Sequence, residues 1–146
     1  MDIVEKINKE WAEDSKIDEI NLVSESAKIP KLHHKYYMMY ITQSLKTTKL
    51  KEELKELKKS KIEYYKGEMD DSELKKRNWK PNPLKILRTD IDKYIEGDSD
   101  YIQMSLRIAY NEAATKYLED IIRQINNRNF VIKNMIDFFK FQSGGM

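Results

Sequence analysis

The sequence predicts an all-α protein, an elongated protomer with two long helices, and three observations lead to that prediction. Only four glycines and three prolines interrupt the 146 residues, so long continuous helices are expected. Charged residues make up 36% of the chain, whereas about a quarter is usual in compact domains. Residues at alternating spacings of three and four form two long stripes, which is the pattern of helices packed along a seam.

The first thirty residues are predicted to form two short helices. Residues 2–13 carry apolar side chains at helical spacing, and Asp14 and Ser15 end that helix. Asp18 is a favourable N-cap for a second helix. Because Pro30 disfavours the helical conformation of the residue before it, the second helix is expected to end near this proline.

The first long helix is predicted over residues 31–66. Its seam alternates spacings of four and three and is polar in its middle. The seam consists of Tyr36, Tyr40, Gln43, Thr47, Leu50, Leu54, Leu57, Lys61 and Tyr64. Gly67 is the expected stop, because glycine adopts the left-handed conformation after a helix without strain.

A linker and a short helix are predicted to follow. Residues 68–83 are polar and contain two of the three prolines, which indicates a linker with a helical turn at residues 71–76. A short helix is expected over about residues 84–95, ending at Gly97.

The last helix is predicted to be the longest, with Asp98 or Asp100 as its cap and a kink at residues 126–129. Its seam consists of Tyr101, Met104, Ile108, Asn111, Thr115, Leu118, Ile122, Ile125, Asn129, Ile132, Ile136 and Phe139. A second apolar stripe adds Ala114, Tyr117, Ile121, Val131, Met135 and Phe138. A helix that is apolar on several sides must be covered, so we expect burial against other protomers. An ordinary bundle core within one chain is the alternative.

Charge is distributed unevenly, although the net charge is only +2. Residues 1–30 carry four lysines and eight acids, and residues 31–66 carry ten lysines and four acids. Residues 67–146 carry thirteen charges of each sign. This asymmetry predicts a localised basic surface on the first long helix.

Lysines and glutamates lie on different arcs of that helix. At 3.6 residues per turn, one arc carries Lys51, Lys55, Lys58, Lys59 and Lys66. Lys61 ends the apolar stripe beside Tyr64 and Tyr65. Lysines neutralise phosphates and aromatic rings stack on unpaired bases, so the segment is a candidate for binding single-stranded DNA. A solvated helix with i,i+4 ion pairs is the alternative, and the two tyrosines could equally pack in the core.

The sequence matches no motif for a catalytic site, a metal site or a cofactor site. His33 and His34 point about 100° apart on a helix and have no further ligand pattern near them. The acidic stretch 90–100 lacks the oxygen ligand and glycine positions of a calcium loop. With no cysteine and no phosphate-binding loop, we expect no metal, no cofactor and no enzymatic activity. No signal peptide or membrane-spanning run is evident, which favours a cytoplasmic protein.

The end of the first long helix, Lys59-Ser60-Lys61-Ile62-Glu63-Tyr64-Tyr65-Lys66-Gly67, carries a recognisable pattern. It is similar to the signature Leu-Lys-x-Arg-Leu-Asp-Tyr-Tyr-x-Gly of the UvsY family, the recombination mediators of T-even-type phages. The stretches 14–18 and 125–133, the latter running on to Phe139, also resemble the family. Lys58 replaces the signature's leucine, Lys61 replaces its arginine and Glu63 replaces its aspartate. Lysine keeps the positive charge but lacks the planar fork of arginine.

The resemblance implies a function, an assembly and a set of partners. UvsY-like proteins bind single-stranded DNA as ring-shaped homo-oligomers, here expected to have six or seven subunits. They help a RecA-like phage recombinase displace the phage single-strand-binding protein, which would place the chain in the host cell cytoplasm. Lys59 and Lys61 occupy the family's basic DNA-binding positions, and the C-terminal helix is its assembly element.

Two regions with different tasks are therefore predicted. Residues 1–97 would bind DNA, through Lys51, Lys55, Lys58, Lys59, Lys61, Tyr64, Tyr65 and Lys66. Residues 98–146 would form the ring, through Leu118, Ile122, Ile125, Ile132, Met135, Ile136 and Phe139. The alternative function is a structural coiled-coil or adaptor protein that acts only through protein contacts.

Overall fold

The computed structural model describes residues 2–82 and 86–144, and every regular element in these ranges is a helix. This confirms the predicted fold class. In chain order the helices are α1 (Ile3–Asp14), α2 (Leu22–Ala27), α3 (Ile29–Tyr65), α4 (Asp71–Arg77), α5 (Ile91–Glu96), α6 (Ser99–Asn126) and α7 (Arg128–Gln142). No helix in the described ranges is long and apolar enough to cross a membrane.

The helix ends follow local capping chemistry. The Asp2 side chain accepts a hydrogen bond from the Glu5 backbone N–H at 2.8 Å and caps α1. Asp98 accepts from the Tyr101 N–H at 3.1 Å and caps α6, as predicted. Gly67 follows α3 with φ +72°, which confirms its predicted role as a helix stop.

Three predicted boundaries were wrong. Asp18 does not cap α2; it accepts from the Ile20 N–H at 3.0 Å in a turn, and α2 starts at Leu22. The second helix does end shortly before Pro30, at Ala27, but the next helix begins at Ile29 and not at residue 31. Pro30 thus lies in the first turn of α3, where its missing N–H would have had no helical partner. The helix predicted over 84–95 is shorter: α5 begins at Ile91, residues 86–90 are not helical, and residues 83–85 lie outside the described ranges.

The kink expected in the last helix corresponds to an interruption of one residue, across which the Asn127 N–H still donates to the Arg123 carbonyl at 3.1 Å. The prediction that this helix is the longest was wrong, because α3 has 37 residues and α6 has 28. Asn127 is the only residue between α6 and α7, and it has φ −85° and ψ −7°. Asparagine competes with helical hydrogen bonding through its short polar side chain, so consecutive asparagines weaken a helix at this point.

The chain forms two compact units. Unit 1 comprises Met1–Leu45 and Asn111–Met146, and unit 2 comprises Lys46–Tyr110. These bounds differ from the predicted division after residue 97, because α3 and α6 each contribute to both units. The assignment of DNA binding to residues 1–97 and of assembly to residues 98–146 remains a prediction.

Unit 1 has an apolar core on α1, α3 and α6. Its fully buried side chains are Ile7, Tyr36, Ala114, Leu118, Ile121 and Ile125. The Tyr36 ring meets Trp11 edge to face at 5.3 Å, and its hydroxyl donates to the Asp14 carboxylate at 2.8 Å. The predicted seam positions thus form an intramolecular core in this unit.

Unit 2 combines apolar burial with a buried charge. Leu50, Leu74, Ile91, Ile95 and Ile108 are the buried apolar side chains among its described residues. Lys61 and Asp98 are buried in the same unit. A buried charge needs a paired and hydrogen-bonded environment, so the surroundings of Lys61 decide how this unit is held together.

Candidate nucleic-acid interface

A row of lysines lies exposed on the second half of α3. Lys51, Lys55, Lys58 and Lys59 are exposed and Lys66, just beyond the helix, is half-buried. We call these five residues the lysine row. Lys55 pairs with Glu52 at 2.9 Å, but both side chains are mostly exposed, so this ion pair contributes little and can be exchanged. Lys55, Lys58 and Lys59 can therefore offer their ammonium groups to phosphates.

Lys61 does not lie on this surface. Its side chain is only 4% exposed, and its ammonium group contacts the carboxylates of Asp98 at 3.1 Å and Asp100 at 2.8 Å. The same nitrogen lies 3.8 Å from the centroid of the Trp79 ring, within cation–π range. Lys61 thus occupies its predicted seam position, but its charge is already neutralised inside unit 2.

The two tyrosines of the signature also have partners within the unit. The Tyr65 hydroxyl donates to the Asp98 carboxylate at 2.5 Å, and the Tyr64 hydroxyl donates to the Lys80 carbonyl at 2.6 Å. Tyr64 packs edge to face on Trp79 at 5.4 Å between ring centroids. Both half-buried side chains therefore have partners within the protein.

Together these contacts form a polar cluster around the end of α3. We call Lys61, Tyr65, Trp79, Asp98 and Asp100 the Lys61 cluster. It joins the end of α3 to the segment after α4 and to the first turn of α6, whose cap is Asp98. The cluster fixes the last two turns of α3, which carry Lys58 and Lys59 at their start.

The electrostatics of Asp98 agree with a charged pair. Burial alone would raise the pKa of this carboxyl, but hydrogen bonds from Tyr65, from the Tyr101 backbone and from Lys61 lower the pKa below its usual value. Burial and the carboxylate also raise the pKa of Tyr65, which keeps its hydroxyl protonated as a donor. The Tyr65 hydroxyl thus helps to keep Asp98 ionised, and the ionised carboxylate pairs with Lys61.

Sequence reasoning missed Trp79, Asp98 and Asp100 as partners of the signature. The available signal was the position of Lys61: it continues a seam of apolar residues, and a lysine that is buried on such a seam requires an acid. The sequence does not say which of the many acids supplies it.

The residues predicted for assembly divide into two groups. Leu118 and Ile125 are fully buried in the unit 1 core, Ile132 is buried and Ile122 packs against that core. Met135 is half-buried, whereas Ile136 and Phe139 are exposed. Three aromatic side chains of α7 outside the predicted set are also exposed, namely Phe130, Phe138 and Phe141. Among the described residues α7 thus exposes several large apolar side chains, and others lie outside this helix, among them Leu45, Leu87 and Leu106.

Metal-binding constellations are absent from the described ranges. No group of three or more histidine, aspartate or glutamate side chains there could hold an ion. The ring of His33 stacks on Tyr37, with 5.6 Å between the centroids.

Comparisons with known proteins are consistent with this architecture. The sequence model of a family described as recombination, repair and ssDNA binding protein UvsY matches residues 10–145. A crystal structure of the bacteriophage T4 recombination mediator protein UvsY, lattice type IV, is similar with a TM-score of 0.82 and 19% identity, covering 97% of this chain and 99% of that chain.

Two further crystal forms of the T4 protein give the same result. Lattice type I has a TM-score of 0.80 and 18% identity over 94% of this chain and 98% of that chain. Lattice type II has a TM-score of 0.80 and 19% identity over 95% of this chain and 96% of that chain. At this identity the likeness establishes the fold. No match was found among curated protein sequences.

Proposed function

We propose that this chain acts as a recombination mediator, because it belongs to the UvsY family of recombination, repair and single-stranded DNA-binding proteins. In this proposal it has no enzymatic activity and needs no cofactor. It binds single strands in the host cell cytoplasm and helps a RecA-like phage recombinase replace the phage single-strand-binding protein. The process would serve recombination, repair and recombination-dependent replication.

The lysine row is the proposed DNA contact, and its exposure on α3 is the observation that carries the proposal. Lys58 and Lys59 are central because both are exposed and lie one turn before the Lys61 cluster. Lysines that neutralise phosphates release bound counterions, which drives association without reading sequence. In this proposal Lys61 is a positioning residue, and Tyr64 and Tyr65 keep the helix end in place.

Repetition of the site around a ring would strengthen a weak contact. The exposed apolar side chains of α7 support self-association, since such surfaces are usually covered by protein. In a ring of six or seven subunits each further contact with the same strand becomes intramolecular, and avidity rises far above the affinity of one site. A strand held at several points can be bent, which would weaken the grip of the single-strand-binding protein.

Nucleation of recombinase filaments on single strands coated with the single-strand-binding protein tests this function. We expect the chain to shorten the lag before filament growth. The double variant Lys58→Ala, Lys59→Ala should lengthen that lag toward its value without mediator. The double variant Lys75→Ala, Lys76→Ala is the matched control, because it removes two adjacent exposed lysines from α4 of the same unit.

Two outcomes would count against the proposal. Equal lags for both double variants would mean that the lysine row has no special part in mediation. No effect of the unaltered chain on the lag, together with no binding to single strands, would favour an adaptor that acts only through protein contacts.

A further inference from the structure

Unit 1 carries a stack of aromatic rings on the first half of α3. His33, Tyr37 and Tyr40 follow each other, with centroids 5.6 Å apart at an interplanar angle of 13° and then 6.1 Å apart at 27°. We call these three residues the ring ladder. Tyr40 packs against the core and donates to Glu119 at 3.3 Å, whereas Tyr37 is 44% exposed. The middle ring of the ladder, Tyr37, is thus the most exposed of the three.

The ring ladder forms one wall of a shallow groove of about 490 Å³, whose other wall is α6. Arg123 and Asn126 line that wall. Arg123 pairs with Asp120 at 3.2 Å, but its side chain is 73% exposed, so the guanidinium group can turn to another anion at little cost. The Asn126 amide can both donate and accept hydrogen bonds. Rings, an exchangeable guanidinium group and an amide suit an unpaired nucleotide.

We propose that this groove binds an unpaired base of single-stranded DNA. The face of the base meets the exposed edge of the Tyr37 ring, whose two faces lie against His33 and Tyr40, and Arg123 meets a neighbouring phosphate. The inference rests on the proposed function and adds a second kind of contact to it. Every base has a face that can stack, so such a contact would be independent of sequence, as a mediator requires.

The sequence of α3 favours a single strand over other ligands. The positions of His33, Tyr37 and Tyr40 recur 18 residues later as Lys51, Lys55 and Lys58. Eighteen residues are five turns of an α-helix, so the helical register that carries rings early in α3 carries lysines later. Single-strand-binding surfaces combine these two kinds of side chain.

The charges that line the groove indicate whether it binds DNA mainly by stacking or mainly by electrostatic attraction. Glu119 and Asp120 lie beside Arg123, so the groove has no excess of positive charge. Stacking, and not counterion release, is therefore the main contribution expected from the ring ladder. Arg123 supplies one phosphate contact in each protomer, so the groove should add less to the salt dependence of the affinity than the lysine row does.

A comparison of strands with and without bases distinguishes the base contact in the groove from the phosphate contacts of the lysine row. The affinities of an oligothymidylate and of an abasic strand of equal length are measured for the full chain at several salt concentrations. We expect the unaltered chain to prefer the strand with bases by roughly tenfold. Tyr37→Ala and Tyr37→Leu should lose most of this preference, and Tyr37→Phe, which keeps the ring, should retain it. The slope of log affinity against log salt should differ among the four proteins by no more than about 0.7 for each protomer on the strand, the contribution of one phosphate contact.

Three results would overturn the inference. An unchanged preference in Tyr37→Ala and Tyr37→Leu would exclude base stacking on this ring. A lower oligomer mass in both variants would assign the groove to contact between copies of the chain. Failure of the unaltered chain to bind either strand at low salt would overturn the proposed function itself, and with it this contact.

Discussion

At the scale of single residues, Lys61 illustrates what a sequence pattern leaves undecided. A lysine at the end of an apolar stripe can end in solvent or be buried beside an acid. Here Asp98 and Asp100, more than thirty-five residues later in the chain, hold its ammonium group. The pattern predicted its position on the seam correctly, but the partners depend on tertiary structure. Sequence reasoning therefore grouped Lys61 with Lys59, although only Lys59 is exposed.

Stability measurements distinguish these two lysines. Lys61→Ala leaves Asp98 buried without its cation, so the free energy of unfolding should fall by about 3–5 kcal/mol. Lys59→Ala removes an exposed side chain and should change the free energy of unfolding by no more than about 0.5 kcal/mol. Urea unfolding followed by circular dichroism measures both. Equal stability of the two variants would refute the structural role of Lys61.

The salt dependence of binding supplies an independent test of the same assignment. Each lysine that neutralises a phosphate of a single strand adds about 0.7 to the magnitude of the slope of log affinity against log salt. Lys59→Ala should reduce the slope by about that amount for each protomer on the strand. Lys61→Arg, which keeps the buried charge, should leave the slope unchanged. A smaller slope for Lys61→Arg would put residue 61 at the DNA.

Acid should weaken the Lys61 cluster in a defined direction. The pKa of Asp98 is lower in the folded chain than its usual value of about 3.9. Its stabilising contribution is therefore complete above that usual value and is lost as the pH falls through the lower folded value. Asp98→Asn should be less stable than the unaltered chain at pH 7, and the difference should narrow below about pH 4. Urea unfolding at each pH measures the free energy of unfolding of both proteins. A difference between them that stays constant from pH 7 to pH 2 would contradict this prediction.

At the scale of elements, the break after α6 has a structural reason in Arg128. This first residue of α7 is buried, and its guanidinium group donates to the carbonyls of Asp14 at 3.2 Å and Lys16 at 2.9 Å. It also forms a buried ion pair with Glu25 at 3.0 Å. Carbonyls at a helix end need such donors, so Arg128 holds the end of α1 and the start of α7 in unit 1. The sequence indicated the break through its asparagines but not this task of the arginine.

Replacing Arg128 should therefore destabilise unit 1. Arg128→Ala leaves Glu25 buried without this partner, and the free energy of unfolding should fall by about 3–5 kcal/mol. Arg128→Lys should recover only part of the loss, because an ammonium group lacks the fork that reaches several acceptors. Lys133→Ala, an exposed position on α7, is the control for calorimetric melting. A melting temperature of Arg128→Ala equal to that of the control would contradict this account.

The exposed aromatic side chains of α7 make this one helix the proposed assembly element. Phe138→Ser with Phe141→Ser removes two of them without touching the unit 1 core, so oligomer mass in light scattering should fall while helix content stays constant. These point variants are sharper than truncation after Asn127, which would also remove Arg128. An unchanged mass would locate the assembly surface elsewhere.

At the scale of the whole molecule, the sequence predicted the fold class and both long helices because periodicity and glycine spacing are local signals. It also indicated a kink near Asn127, and it gave Asp98 as one of two candidate caps, for the same reason. The start of α2 and the length of α5 were wrong, since short helices depend on packing more than on their own residues. The candidate site was predicted as a segment, whereas its division into exposed lysines and a buried cluster depended on distant partners.

The central claim is that exposed lysines, repeated around an oligomer, hold single-stranded DNA. The most direct test is the affinity of the unaltered chain for a single strand as a function of salt, with the oligomer mass measured in the same buffers. The account predicts tight binding at low salt, an affinity that falls steeply as salt rises, and a slope larger than the five lysines of one protomer can produce. No binding at low salt, or binding that is insensitive to salt, would contradict it.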